Sequence, residues 1–107
     1  MYTQVMQTQH YPYTQLKSTL RQVVGKHIDL HNYQAFIFGS RATNKGNDRS
    51  DIDIGIEGHS PVSTVKLANI REDLENLPTL YTFDVVDFST VSDNFKKNAK
   101  LAIDPLN

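Results

Sequence analysis

The 107-residue chain has no cysteine. It therefore has no disulfide framework and no thiolate metal site, which fits a reducing compartment. Charge of either sign is in short supply as well: 11 basic side chains stand against 12 acidic ones, for a net charge of −1. Bulk nucleic-acid binding shows as a basic excess, so no direct nucleic-acid partner is expected. Long hydrophobic runs are missing. The longest fall far short of a membrane span, and the first nine residues are too polar for a secretory signal, so no membrane association is expected. Internal repeats and low-complexity tracts are absent. What remains is a cytoplasmic chain of one small domain, 1–107, with room for a single modest core.

Residues 1–12 show no clean period and read as a loose lead-in. From Tyr13, apolar residues Leu16, Leu20, Val23, Val24 and Ile28 recur at helical steps, with Gly25 as a weak point. His27 and His31 lie one turn apart there, but lack the nearby acid of a zinc-protease motif and read as a solvated helix end. Tyr33–Phe38 reads as a buried strand, 41–50 as a turn-rich loop, and 51–57 as a second strand stopped by Gly58. Ser60-Pro61 reads as a helix start, with Val62, Val65, Ile70, Leu74 and Leu77 as its stripe and Pro78 as its stop. The run 80–88 forms a third strand, with Tyr81, Phe83, Val85 and Asp87 on its helix-packed face. Ser92 or Asp93 caps a last helix carrying Phe95, Ala99, Ala102 and Ile103, ending before Pro105. The crossover between the last two strands makes them parallel, and the loop between the first two suits an antiparallel pair. The sheet is expected to be mixed.

The informative stretch is Phe36 to Ile56. Strand side chains alternate faces, so Asp51, Asp53 and Glu57 point one way, and Ile52, Ile54 and Ile56 point to the helix-covered side. Two acids one step apart form a claw for a hard divalent cation, which prefers oxygen ligands. Gly39 lets backbone approach a ligand, and Ser40 adds a hydroxyl beside the N–H groups of a turn, a setting suited to phosphate. Asp84 lies in mid-strand on the face away from the helices, where a carboxylate is costly without a cation or partner. Each acid alone also reads as the solvated face of an edge strand. Asp87 is a rival third acid, but its parity puts it on the helix-packed face near the strand end, where a cap or loop contact suffices.

Gly39-Ser40, ten intervening residues, Asp51-Ile52-Asp53 and a later strand with Asp84 closely resemble the polymerase-β-like nucleotidyltransferase superfamily. The match is best to its smallest members, the MNT-type minimal nucleotidyltransferases. The likeness runs from Phe36 to the last helix, and the helix before it fits. It implies an α/β (α+β) nucleotidyltransferase fold, a small mixed sheet with helices packed on one face. It also implies that Asp51 and Asp53 ligate two Mg²⁺ ions and that Asp84 completes the site holding the attacking oxygen. Gly39 and Ser40 would hold the triphosphate of ATP, with Arg41 as a further phosphate contact and Lys45 and Arg49 as weaker ones. Two other Asp-Ile-Asp readings fit less well. A haloacid-dehalogenase phosphatase wants Thr or Val where Gly55 stands, and a glycosyltransferase needs a longer chain. Arg21 and His27 resemble the Arg-to-His spacing of HEPN ribonucleases, but those are all-helical.

The usual companion of MNT-type proteins is a small helical HEPN protein. The resemblance therefore implies an antitoxin that transfers AMP from ATP to a hydroxyl, typically of tyrosine, on a HEPN toxin. A homo- or hetero-oligomer is compatible with this. Two alternatives stand beside it: an antitoxin that neutralises its partner by occlusion alone, and an aminoglycoside-type adenylyltransferase.

Overall fold

A computed structural model describes residues 12–39 and 51–107. The expected lead-in (all but Pro12), the loop 41–50 and Ser40, Arg41, Lys45 and Arg49 lie outside the described residues. In chain order the elements are α1 (Tyr13–Gly25), β1 (Tyr33–Phe38), β2 (Asp51–Gly58), α2 (Thr64–Glu75), β3 (Thr82–Asp87), α3 (Asp93–Ala99) and β4 (Ile103–Pro105). The sheet order is β3-β2-β1-β4. β2 is antiparallel to β1 and parallel to β3, so the sheet is mixed.

Alternation along β2 sorts the sheet into two faces. Ile52, Ile54 and Ile56 are fully buried with Ala35, Ile37 and Val85 against Leu16, Leu20, Val23 and Val24 of α1 and Leu67, Ile70 and Leu74 of α2. Each such aliphatic side chain contributes about 1.5–3 kcal/mol on burial. The opposite face carries a smaller aromatic cluster, Phe36, Phe38 and Phe88, with Val86, Val91, Ala99 and Ile103 packed around it. The two long helices share the isoleucine face, and the short α3 lies across the aromatic one, bringing Phe95 to 6.2 Å from the Phe38 ring centre. Glu57 binds α3 in place through ion pairs with Lys96 (3.3 Å) and Lys100.

Several boundaries depart from the sequence expectation for visible reasons. α1 closes at Gly25, and Ile28 joins the core from the turn that follows. α2 is capped by Ser63, whose Oγ accepts from the Lys66 N–H, and not by Ser60-Pro61. Asp87 takes the Val62 N–H at 2.8 Å and holds that residue out of the helix. Within α2, Leu67, Ile70 and Leu74 stand three and four residues apart and are buried, whereas Val65, five residues before Ile70, falls on another face and is exposed. The last helix stops at Ala99, and Ile103-Asp104-Pro105 becomes an edge strand beside β1. Proline is tolerated there because an edge strand has one side without ladder bonds. Asp104 ties this edge to α1 by accepting from Tyr13 (2.5 Å) and Lys17 (2.7 Å). Among the described residues, no helix is long and apolar enough to cross a membrane.

Candidate active site

The acids sit at the end of the sheet where β1 finishes and β2 and β3 begin. In the β2–β3 register Asp53 stands directly beside Asp84, and Asp51 beside Thr82. All four line one shallow cleft of about 270 Å³, together with Ile52 and Phe83 among the described residues. Parallel pairing makes this arrangement, since residues opposite each other in register share a face. Asp51 and Asp84 are exposed and Asp53 is half-buried.

Gly39 closes the same end from the β1 side. Phe38 is the register partner of Asp53, so the next residue turns directly over that carboxylate. Gly39 has φ +78°, the left-handed region that glycine enters freely. A Cβ built there would lie 3.0 Å from Asp53 Oδ2. The turn therefore stands next to the carboxylate, and a side chain would occupy the space between them. Gly55 has a different task on the same face. A Cβ there would run into the Phe36 ring and come within 2.7 Å of Phe88. Its absence lets the two rings meet edge to face at 5.0 Å and underpin the acid end of the sheet.

Several other acids are engaged away from the cleft. Asp87 is buried on the helix-packed face, accepting from the Val62 N–H and from the Ser89 N–H and Oγ. Those bonds are the loop and cap contacts expected of it. Glu57 shares the face of Asp51 and Asp53 but engages Lys100 and Lys96, which hold its carboxyl below the usual range against the opposing effect of burial. His27 pairs with Asp73 at 2.7 Å, joining α1 to α2. His31 is exposed and its N–H is capped by Asp29, so the two histidines do not converge. Among the described residues, no three His, Asp or Glu side chains are gathered closely enough to hold a metal ion. A larger open groove of about 790 Å³ runs along α1, and the described residues of its walls include no carboxylate.

The alternation of 80–88 puts Thr82 on the face of Asp84, two residues away, but the sequence assigns it no role and does not show the packing role of Gly55.

The segment 33–102, which contains Gly39, all three aspartates and Thr82, matches the family described as "Polymerase beta, Nucleotidyltransferase". The chain belongs to this nucleotidyltransferase family. Its fold is shared with solved toxin–antitoxin structures. One, with AMP-PNP, superposes at a TM-score of 0.68 and 17% identity, covering 85% of this chain and 72% of the other. A mutant of MntA–HpeT gives 0.65 at 15% identity, with 85% and 71% covered. The tri-AMPylated Shewanella oneidensis HEPN toxin in complex with MNT antitoxin gives 0.64 at 17%, with 87% and 71% covered. No curated protein matches the chain in sequence.

Proposed function

We propose that this chain is an Mg²⁺-dependent adenylyltransferase that moves AMP from ATP to a hydroxyl, on tyrosine, of a HEPN-type toxin, and so acts as a cytoplasmic antitoxin. The observation that carries the reading is the side-by-side register of Asp53 and Asp84 under the left-handed turn at Gly39. The solved neighbours support the class of partner, since one holds AMP-PNP and another an AMPylated HEPN toxin with an MNT antitoxin.

The donor set fits a hard cation: Asp51, Asp53 and Asp84 offer only carboxylate oxygens, and Gly39 leaves room beside Asp53 that a Cβ would fill. When bound, Mg²⁺ supplies charge neutralisation around the α-phosphate and lowers the pKa of a coordinated hydroxyl. Gly39, with Ser40 and Arg41 after it, receives the triphosphate. Asp51 and Asp53 hold the cation side of the cleft. Asp84, on the sheet's outer strand, faces the incoming hydroxyl and orients its oxygen. A bond forms from that oxygen to the α-phosphorus, the bond to the β-phosphate bridge breaks, pyrophosphate leaves, and the hydroxyl proton passes to a cleft carboxylate.

Incubated with Mg²⁺, ATP and the cognate HEPN protein, the parent should add AMP units to the partner's intact mass. The Asp51→Ala, Asp53→Ala double variant should add none, and transfer by that variant at the parent level would refute the assignment. A second reading, neutralisation by occlusion alone, draws on the absence of a gathered three-carboxylate cage among the described residues. Protection of cells by a variant lacking all three aspartates would select it.

A further inference from the structure

We infer that Thr82 is a positioning residue that orients the Asp51 carboxylate for a divalent cation. The inference rests on the proposed function and deepens it. Thr82 is the register partner of Asp51, lies on the same sheet face and lines the same cleft. Its hydroxyl donates to Asp51 Oδ1 at 3.5 Å, the outer limit of a hydrogen bond. Such contacts are often long before ligand arrives and tighten in the loaded state.

The geometry separates the two acids of the Asp-Ile-Asp pair by what stands beside each. Asp53 has the Gly39 turn beside Oδ2, with space there that a Cβ would fill, and Asp84 across the strand gap. Asp51 is the first residue of β2 and is exposed, with the beginning of β3 as its lateral neighbour. Holding an exposed carboxylate in one rotamer costs side-chain entropy, and a donor fixed on the neighbouring strand lowers that cost for a cation-binding event. A donor on Oδ1 favours one orientation of the carboxylate, as outer partners of metal ligands do. Among the described residues lining the cleft, Thr82 has the only side-chain hydroxyl. Threonine is also a good strand residue, so the β-branched shape alone would explain its presence there. Valine keeps that shape and removes the hydroxyl, which makes the substitution diagnostic.

The experiment is Mn²⁺ binding to the purified chain, read by electron paramagnetic resonance of free Mn²⁺, on the parent, Thr82→Val, Thr82→Ser and Asp53→Asn. Thr82→Val should bind Mn²⁺ about tenfold more weakly, the low end for loss of an outer-shell partner. Its thermal midpoint should match the parent's, because the position is exposed. Thr82→Ser should recover most of the affinity. In the transfer assay Thr82→Val should need more Mg²⁺ for half-maximal rate while approaching the parent rate at saturation. Parent-like Mn²⁺ affinity in Thr82→Val, or a Thr82→Ser variant as weak as Thr82→Val, overturns the inference and leaves the proposed function standing. A parent that binds Mn²⁺ no better than Asp53→Asn overturns both.

Discussion

Replacing Gly39 by alanine probes the contact between the turn and the acid claw. At φ +78° an L side chain costs about 1–2 kcal/mol in backbone strain. The new methyl also sits 3.0 Å from Asp53 Oδ2, so the carboxylate must give way by a few tenths of an ångström. In a domain near this size each kcal/mol lowers the thermal midpoint by about 4–8 °C. A displacement of about 1 Å at a reacting centre costs ~100-fold in rate, so a few tenths should cost roughly tenfold. Thermal unfolding and AMP transfer, measured well below both midpoints, separate the two effects. Gly25→Ala is the control: its Cβ would meet only the movable tip of Leu30, at 3.2 Å and without a positive φ, and transfer should be unchanged. A Gly39→Ala variant with the parent's midpoint and the parent's rate would refute the reasoning.

Two further outcomes follow from the aromatic face. Gly55→Ala should lower the thermal midpoint by an amount corresponding to about 1–3 kcal/mol, because the methyl must displace Phe36 and Phe88; a neutral midpoint would contradict that packing. Glu57→Gln should destabilise the chain at neutral pH, since the pKa of Glu57 is lowered chiefly by Lys100. A carboxylate whose folded pKa lies below its ordinary 4.5 contributes stability above that value, and the contribution is lost as pH falls through the lowered one. The gap between parent and Glu57→Gln in chemical denaturation should therefore close on acidification, and a gap that widens would count against the ion pairs.

The parts of the fold that were legible in the sequence are those where one period dominates. Ile52, Ile54 and Ile56 alternate with acids, and Leu16, Leu20, Val23 and Val24 keep helical step, so face and partner followed from spacing. The parity of 80–88 separated Asp84 from Asp87 in the same way, and the buried bonds of Asp87 bear that out. β1 was legible as a buried strand with its bounds, Tyr33–Phe38, but not by face. Phe36 and Phe38 point to one face and Ala35 and Ile37 to the other, and a run buried on both sides carries no period. β4 was not legible because three residues ending in proline, paired to a strand far earlier in the chain, leave no local pattern. The start of α2 was misread because a tertiary bond from Asp87 competes for the Val62 N–H, and local cap chemistry does not show that competition. At the site, the acids and Gly39 were legible as a motif, but the packing need for Gly55 appears only once Phe36 and Phe88 meet over it.

The most direct test sets the two acids of β3 against each other by single-turnover AMP transfer to the partner, with thermal midpoints recorded in parallel. Asp84→Asn should abolish transfer and leave the midpoint unchanged, because Asp84 is exposed in the cleft. Asp87→Asn should lower the midpoint, because its carboxylate accepts three hydrogen bonds, yet transfer at the parent rate while folded. Undiminished transfer by Asp84→Asn, or loss of transfer by a folded Asp87→Asn, would contradict the assignment of the site.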